Sequence, residues 1–366
     1  MSLGVKHLTG TAVAAVTVAL LTCVLVAGCS MTSPVCASAG EDSACIEVQT
    51  SAEDSAAGSS AADVTVSSPS GPDIASVKTT KVLGYGSRFI VGWKVKAASG
   101  KVSGYRIRYS ATKDMADAKV KKVAGSKKTA AVIKISQNRK PVYYAQVQAY
   151  FEKNGKVYRG AWSTLHKVVL GTPLQLKKAA KVKNYIRKSL AHGKKTAKYQ
   201  KYIVLHDTEG NGSPKSFADY FSSTGTYVAA HFVVSRNGEV GQIVDMDQIA
   251  HHAGYGNKGH DKKYGVKSDG RDDMRGTKSI GSSCPDYGMN SFSIGIEMEH
   301  IHGQNYTKAQ LKSLDRLIAY IDAYYGFESK IIDHKAWRAG NSDTDSTFKT
   351  YLANYKRYRT HAKPKL

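Results

Sequence analysis

The chain has 366 residues, enough for two domains that each bury an apolar core. Hydrophobic residues make up 42%, which excludes a chain too polar to fold, and Lys and Arg outnumber Asp and Glu by 53 to 29, a formal net charge of +24. A balance that basic suits an anionic partner, yet no nucleic-acid recognition motif accompanies it.

Lys6 and His7 precede an apolar stretch, Ala12 to Ala27, that is short and rich in small residues and ends Val26-Ala27-Gly28-Cys29. Residues 1–29 resemble a lipoprotein signal peptide, the small residues before the cysteine being similar to a lipobox. That resemblance implies that Cys29 carries lipid and attaches the chain to a membrane. From Ser30 to Pro72 the chain is Ser, Ala, Thr, Asp and Glu with almost no large apolar residue, the composition of a disordered tether. Cys36 and Cys45 are close enough for a small disulfide loop in an oxidising compartment, which leaves Cys284 without an evident partner.

Residues 73–172 change to short alternating segments between Gly, Lys and Asn: Arg88 to Trp93, Gly104 to Tyr109, Ala130 to Ile133, Tyr143 to Tyr150, and Val157-Tyr158. Strands at this spacing predict an all-β sandwich. The core Trp93, the two tyrosine-rich strands and Gly160-Ala161-Trp162-Ser163 resemble a fibronectin type III domain. No group of acids, histidines or thiols occurs in it, so it reads as a spacer or wall-binding module.

Residues 173–366 predict an α/β domain, a mixed sheet flanked by helices. Helix-forming Leu, Lys and Ala fill 173–194, and Ser213-Pro214 supplies a cap and a first-turn proline for the next helix. Asn237-Gly238 marks a hairpin between His231 and Val244. Thr307 and Gln310 form a capping box ahead of an apolar stripe, Leu311, Leu314, Leu317, Ile318 and Ile321, that ends at Gly326. The glycine-rich stretch from Gly254 to Gly288 is long for an idle loop.

The chemistry sits where apolar runs meet polar residues. Tyr202 to Leu205 runs into His206, and Ile331-Ile332-Asp333 into His334, followed by the acid-rich Asn341 to Asp345. Two strand-end histidines and a carboxylate make a set open to Zn²⁺, three donors leaving a fourth position for water. Between them, Asn290 to Glu299 alternates strictly, placing Ser293, Gly295, Glu297 and Glu299 on one face. Carboxylates beside a metal suit water-activating hydrolysis, and the glycine points to close approach of something to that face.

Five segments in one order resemble the zinc-dependent type 2 N-acetylmuramoyl-L-alanine amidases, relatives of the peptidoglycan-recognition proteins: the strand at His206; Ala229 to Val234 with Arg236-Asn237-Gly238; His251-His252-Ala253-Gly254; the strand ending at Glu297; and Asp333-His334. The resemblance implies His206 and His334 as zinc ligands, Glu297 as the catalytic acid/base, and His252, His231 and Asn341 facing substrate. It favours Asp343 over Asp345 as third ligand, because Phe348 follows Asp343 by the family's five residues; Asp345 also suits a helix start. The chain departs from the family pattern at His251, where many relatives have tryptophan, and at Asn341, where many have lysine. The implied activity cuts the bond between muramic acid and L-alanine. The implied partners are peptidoglycan, anionic wall polymers and, through the lipid, a membrane, rather than nucleic acid. A recognition module that binds wall without cutting it is the alternative; the oligomeric state is open.

Overall fold

A computed structural model describes residues 72–96, 100–136, 138–275 and 288–365. The stretch expected to be a signal segment, most of the expected tether and all five cysteines lie outside the described residues.

Eight strands come first: β1 (Val77–Tyr85), β2 (Arg88–Val95), β3 (Gly104–Ser110), β4 (Lys119–Ala124), β5 (Ala130–Lys134), β6 (Val142–Lys153), β7 (Lys156–Trp162) and β8 (His166–Val169). They form two antiparallel sheets, β1-β2-β5 and β4-β3-β6-β7 with β8 also on β6. Period-2 alternation sends Phe89, Val91 and Trp93 from one sheet and Tyr105, Ile107, Val147 and Ala149 from the other into a single core. The Trp93 and Tyr105 rings lie 4.9 Å apart there.

Side-chain contacts join this sandwich to the residues that follow it. Arg88 opens β2 yet is 2% exposed, because its guanidinium reaches Glu328 with two bonds of 2.5 and 2.6 Å and donates to the Arg357 carbonyl at 2.6 Å. A planar fork matched to a carboxylate fixes orientation as well as distance. Arg139 ties the Gly86 turn to the carbonyls of Leu170 and Gly171 on the way into the second domain.

That domain begins with α1 (Pro173–Ala179), where Thr172 and Gln175 satisfy each other's main-chain N–H groups. Helix-forming residues continue to 194, but the helix does not. Lys181 takes a left-handed conformation and β9 (Val182–Asn184) follows, pairing with β12 (Val240–Gln242), so sheet hydrogen bonding overrides local propensity. The remaining strands are β10 (Tyr202–Asp207), β11 (Phe232–Val234), β13 (Ser293–Met298) and β14 (Lys330–Asp333). The order is β14-β10-β13-β11-β12-β9, with β10 parallel to both β13 and β14, and β12 antiparallel to β11. The other helices are α2 (Pro214–Ser223), α3 (His260–Tyr264), α4 (Gly288–Ser291), α5 (Lys308–Tyr325), α6 (His334–Trp337) and α7 (Lys349–Tyr358). Among the described residues no helix is long and apolar enough to cross a membrane.

The pleat decides which residues meet. Ile203 and Leu205 of β10, with Ile294, Ile296 and Met298 of β13, face the α5 stripe of Leu311, Leu314, Leu317, Ile318 and Ile321. Val204 faces the other side, where Ala253, Val266, Met289 and Trp337 close over the sheet. His206 and Glu297 share that second face by alternation. The expected capping box of α5 is only half present: Thr307 accepts from Gln310 N–H, but the Gln310 amide donates to the Val234 and Glu299 carbonyls. A tertiary demand from the sheet edge takes the side chain that the helix start would have used.

Candidate metal and hydrolytic site

Parallel pairing sets His206 of β10 opposite Glu297 of β13, and Leu205 opposite Asp333 of β14. His334 follows directly and opens α6. The chain then returns through a polar turn in which Asn341 Oδ1 accepts from Asp343 N–H at 2.8 Å and Thr344 is left-handed. This turn brings Asp343 Oδ2 to 2.7 Å from His206 Nδ1 and 2.8 Å from His334 Nδ1. The three donor atoms all lie within 4.8 Å of one another.

Hydrogen-bond partners assign the tautomers. His334 Nε2 lies 2.9 Å from the Ala253 carbonyl, which can only accept, so Nε2 carries a proton and the neutral ring has a bare Nδ1. The second case is a relay. Ser293 Oγ donates to the Met289 carbonyl, so it accepts from His252 Nε2–H at 3.0 Å; His252 Nδ1 then accepts from His206 Nε2–H at 3.0 Å, and His206 Nδ1 is bare as well. Burial favours the neutral form of the two relay rings: it pushes the His252 pKa well below that of an ordinary imidazole, aided by His206, and lowers His206 although Asp343 opposes it. With both rings neutral, two lone pairs converge on one carboxylate oxygen, an arrangement that favours a cation among them. Neutral imidazoles and a carboxylate are the donor set that Zn²⁺ takes.

Beside this set, Glu297 has Oε2 buried without a hydrogen-bond partner. Burial first, then the negative charges of Asp343, Asp207 and Glu209, raise its pKa well above the usual carboxylate range. A carboxyl so placed holds a proton more tightly than an ordinary surface carboxylate.

Gly295 explains how the relay fits. A Cβ on it would lie 2.4 Å from Cγ and 2.7 Å from Nδ1 of His252, so what approaches this strand face is the imidazole itself. The position of His252 differs from the expected contact with substrate: both its nitrogens are engaged inside the protein. His231, also expected at substrate, is 0% exposed, with Nδ1 accepting from Gly295 N–H at 3.1 Å and Nε2 donating to the Gln248 carbonyl at 3.0 Å. Asn341 spends its carbonyl oxygen on the Asp343 turn. Glu299, on the Glu297 face by alternation, accepts from the main chain of Gly212 and Arg236. Asp345 accepts from Thr347 N–H at 2.8 Å, starting the turn before α7, and from Gly303 N–H at 3.0 Å.

Sequence reasoning misses Ser293 as the end of the relay, and Lys195. The Lys195 side chain is fully buried, with Nζ 2.5 Å from the Ser293 carbonyl and 3.1 Å from Gln200 Oε1; burial, then Arg271, depresses its pKa strongly. Nothing local distinguishes it from its neighbour Lys194 or from Lys198. Asp207 is a third such residue: Tyr306 donates to both its oxygens, and burial raises it to about 6.

Residues 196–347 match the N-acetylmuramoyl-L-alanine amidase family. Among solved structures, the amidase LysC from Clostridium intestinale URNW is 16% identical, covering 48% of this chain and 96% of its own, with a TM-score of 0.32. Drosophila peptidoglycan recognition protein SA is 12% identical over 48% of this chain and 92% of its own, TM-score 0.33. The fn3 domain of human contactin 1 is 21% identical over 31% of this chain and 92% of its own, TM-score 0.23. Among curated proteins nothing matches.

Proposed function

We propose that the second domain is a zinc-dependent amidase that hydrolyses the bond between N-acetylmuramic acid and the L-alanine of the peptidoglycan stem. The observation that carries the reading is the convergence of two bare imidazole nitrogens on Asp343 next to a raised, buried Glu297. The match of residues 196–347 to that family supports this choice of substrate. His206, His334 and Asp343 would hold the ion, which when bound lowers the pKa of a coordinated water to about 7 and polarises a carbonyl oxygen. Glu297 takes the proton of the attacking water and returns it to the leaving amine, work for which a raised carboxyl pKa is suited. His252 and Ser293 hold His206 in the tautomer that leaves Nδ1 free. His231 acts as a brace of β13 at Gly295, and Asn341 as the fixative of the Asp343 turn.

The chain is an extracytoplasmic lipoprotein in this reading, held to a membrane through Cys29, and its charge of +24 favours the phosphate polymers of a wall. A recognition module of the same fold needs no proton-carrying Glu297, so the buried acid favours hydrolysis.

The test is to incubate the zinc-loaded full chain with a soluble muropeptide and follow the free amino group of L-alanine by labelling and mass. The expected result is one new N-terminal alanine for each stem released. Tight binding without any new amino terminus would establish the recognition module instead.

A further inference from the structure

We propose a second zinc site, closed and structural, formed by His192, His251, Asp272 and Asp273. His192 Nδ1 lies 3.0 and 3.2 Å from the two oxygens of Asp273, and His251 Nε2 lies 2.5 Å from Asp272 Oδ1 and 3.8 Å from Asp273 Oδ1. Donor atoms of His192, His251 and Asp273 all fall within 4.8 Å of one another, as at the first site.

The same proton accounting applies. His192 Nε2 is 3.0 Å from the Tyr227 carbonyl, which can only accept, so that nitrogen carries the proton. A neutral His192 then turns a bare Nδ1 lone pair toward a carboxylate, which requires a cation between them. A metal-bound histidine whose other N–H reaches a main-chain carbonyl is the usual supported ligand.

A proton is the competing cation, and charge decides against it. Asp272 and Asp273 bring two negative charges, and Arg275 reaches Asp273 only through an exposed contact of 3.6 Å, so full compensation by protons inside the cluster would make both imidazoles cations. The rings are stacked with centroids 3.7 Å apart and 9° between planes. Two unit charges at such a distance repel by about 1–4 kcal/mol, from bulk water to a protein-surface dielectric. One divalent ion supplies both positive charges and leaves the imidazoles neutral, the form that burial and the neighbouring His251 already favour at His192. In addition, Asp272 Oδ2 and His251 Nδ1 are buried without hydrogen-bond partners, so part of the polar capacity of this cluster is unspent. Zinc is the divalent ion whose donor preferences fit imidazole plus carboxylate with four protein ligands.

Such an ion would staple three distant segments: the connection before β10 at His192, the stretch after β12 at His251, and the loop at Asp272 and Asp273. His251 immediately precedes His252, so the second ion fixes the main chain from which the relay to His206 projects. It differs from the first site in having no position left for water.

The experiment counts zinc by elemental analysis on the full chain, reloaded with zinc alone and dialysed, for the wild type, Asp343→Ala, Asp273→Asn and the double variant. Asn keeps the shape of the exposed Asp273 while removing its charge. The expected counts are two, one, one and none. A wild type with one zinc that Asp343→Ala loses and Asp273→Asn keeps would overturn the second site, as would two zincs retained in Asp273→Asn. One zinc lost only in Asp273→Asn would support this site and remove the first, and no zinc in the wild type would remove both.

Discussion

Gly295→Ala tests the relay with one methyl group. The added carbon would stand 2.4 Å from Cγ, 2.7 Å from Nδ1 and 2.8 Å from Cδ2 of His252, where ordinary carbon contacts are about 3.5–4.0 Å. The ring must therefore retreat by about 1 Å. It is pinned at both ends by 3.0 Å bonds, to His206 Nε2 and Ser293 Oγ, and a shift of that size stretches or misaligns them. Overpacking of a tight core costs about 1–3 kcal/mol, and loss of an outer partner of a metal-bound histidine costs about 10- to 100-fold in metal affinity. Zinc affinity should thus fall by that factor in a chelator competition, the thermal midpoint should drop, and muropeptide hydrolysis at limiting zinc should fall in step. In a His252→Ala background the space is open, so adding Gly295→Ala should change zinc affinity little further. The reasoning fails if Gly295→Ala binds zinc as tightly as the wild type, or if its penalty is undiminished when His252 is already alanine.

Glu297→Gln should keep its zinc, because no donor changes, and lose about 10²–10⁴-fold in hydrolysis; near-normal turnover would move the acid/base role elsewhere. Asp343→Ala should lose metal and activity together. Asp345→Ala should keep both and lose only the start of the C-terminal helix, about 1 kcal/mol of stability by denaturant titration, and the reverse pattern of metal loss would exchange their roles. Arg88→Ala leaves Glu328 facing the seam without its fork, and the cost should be about 3 kcal/mol in the same titration with turnover of soluble muropeptide preserved. A cost below about 1 kcal/mol would class the pair with surface ion pairs and the sandwich as a loosely attached spacer.

The features legible in the amino-acid order obey local rules of short range. Alternation in β10 and β13 places His206 and Glu297 on one face, because a pleated strand permits no other arrangement. Asn237-Gly238 predicts its hairpin because Gly238 adopts a positive φ there. The glycine at 295 points to a close approach without naming the visitor. The helical reading of 173–194 fails at Lys181, where pairing with a strand some sixty residues away in sequence outweighs a few tenths of a kcal/mol of propensity per residue.

By itself, then, the sequence determined the donor types and the strands that carry them: two histidines after apolar runs, an acid-rich turn, and a glutamate on an alternating strand. Only the tertiary structure decided what each donor does, since a histidine's tautomer depends on which atom of which distant residue faces its second nitrogen. His334 owes its bare Nδ1 to the Ala253 carbonyl, and His206 owes its own to Ser293 through His252. The same holds for Arg88, whose partner Glu328 lies 240 positions away. Hydrogen bonds are directional and short, so residues far apart in the chain acquire a chemical role only once folding has set them within about 3 Å of each other.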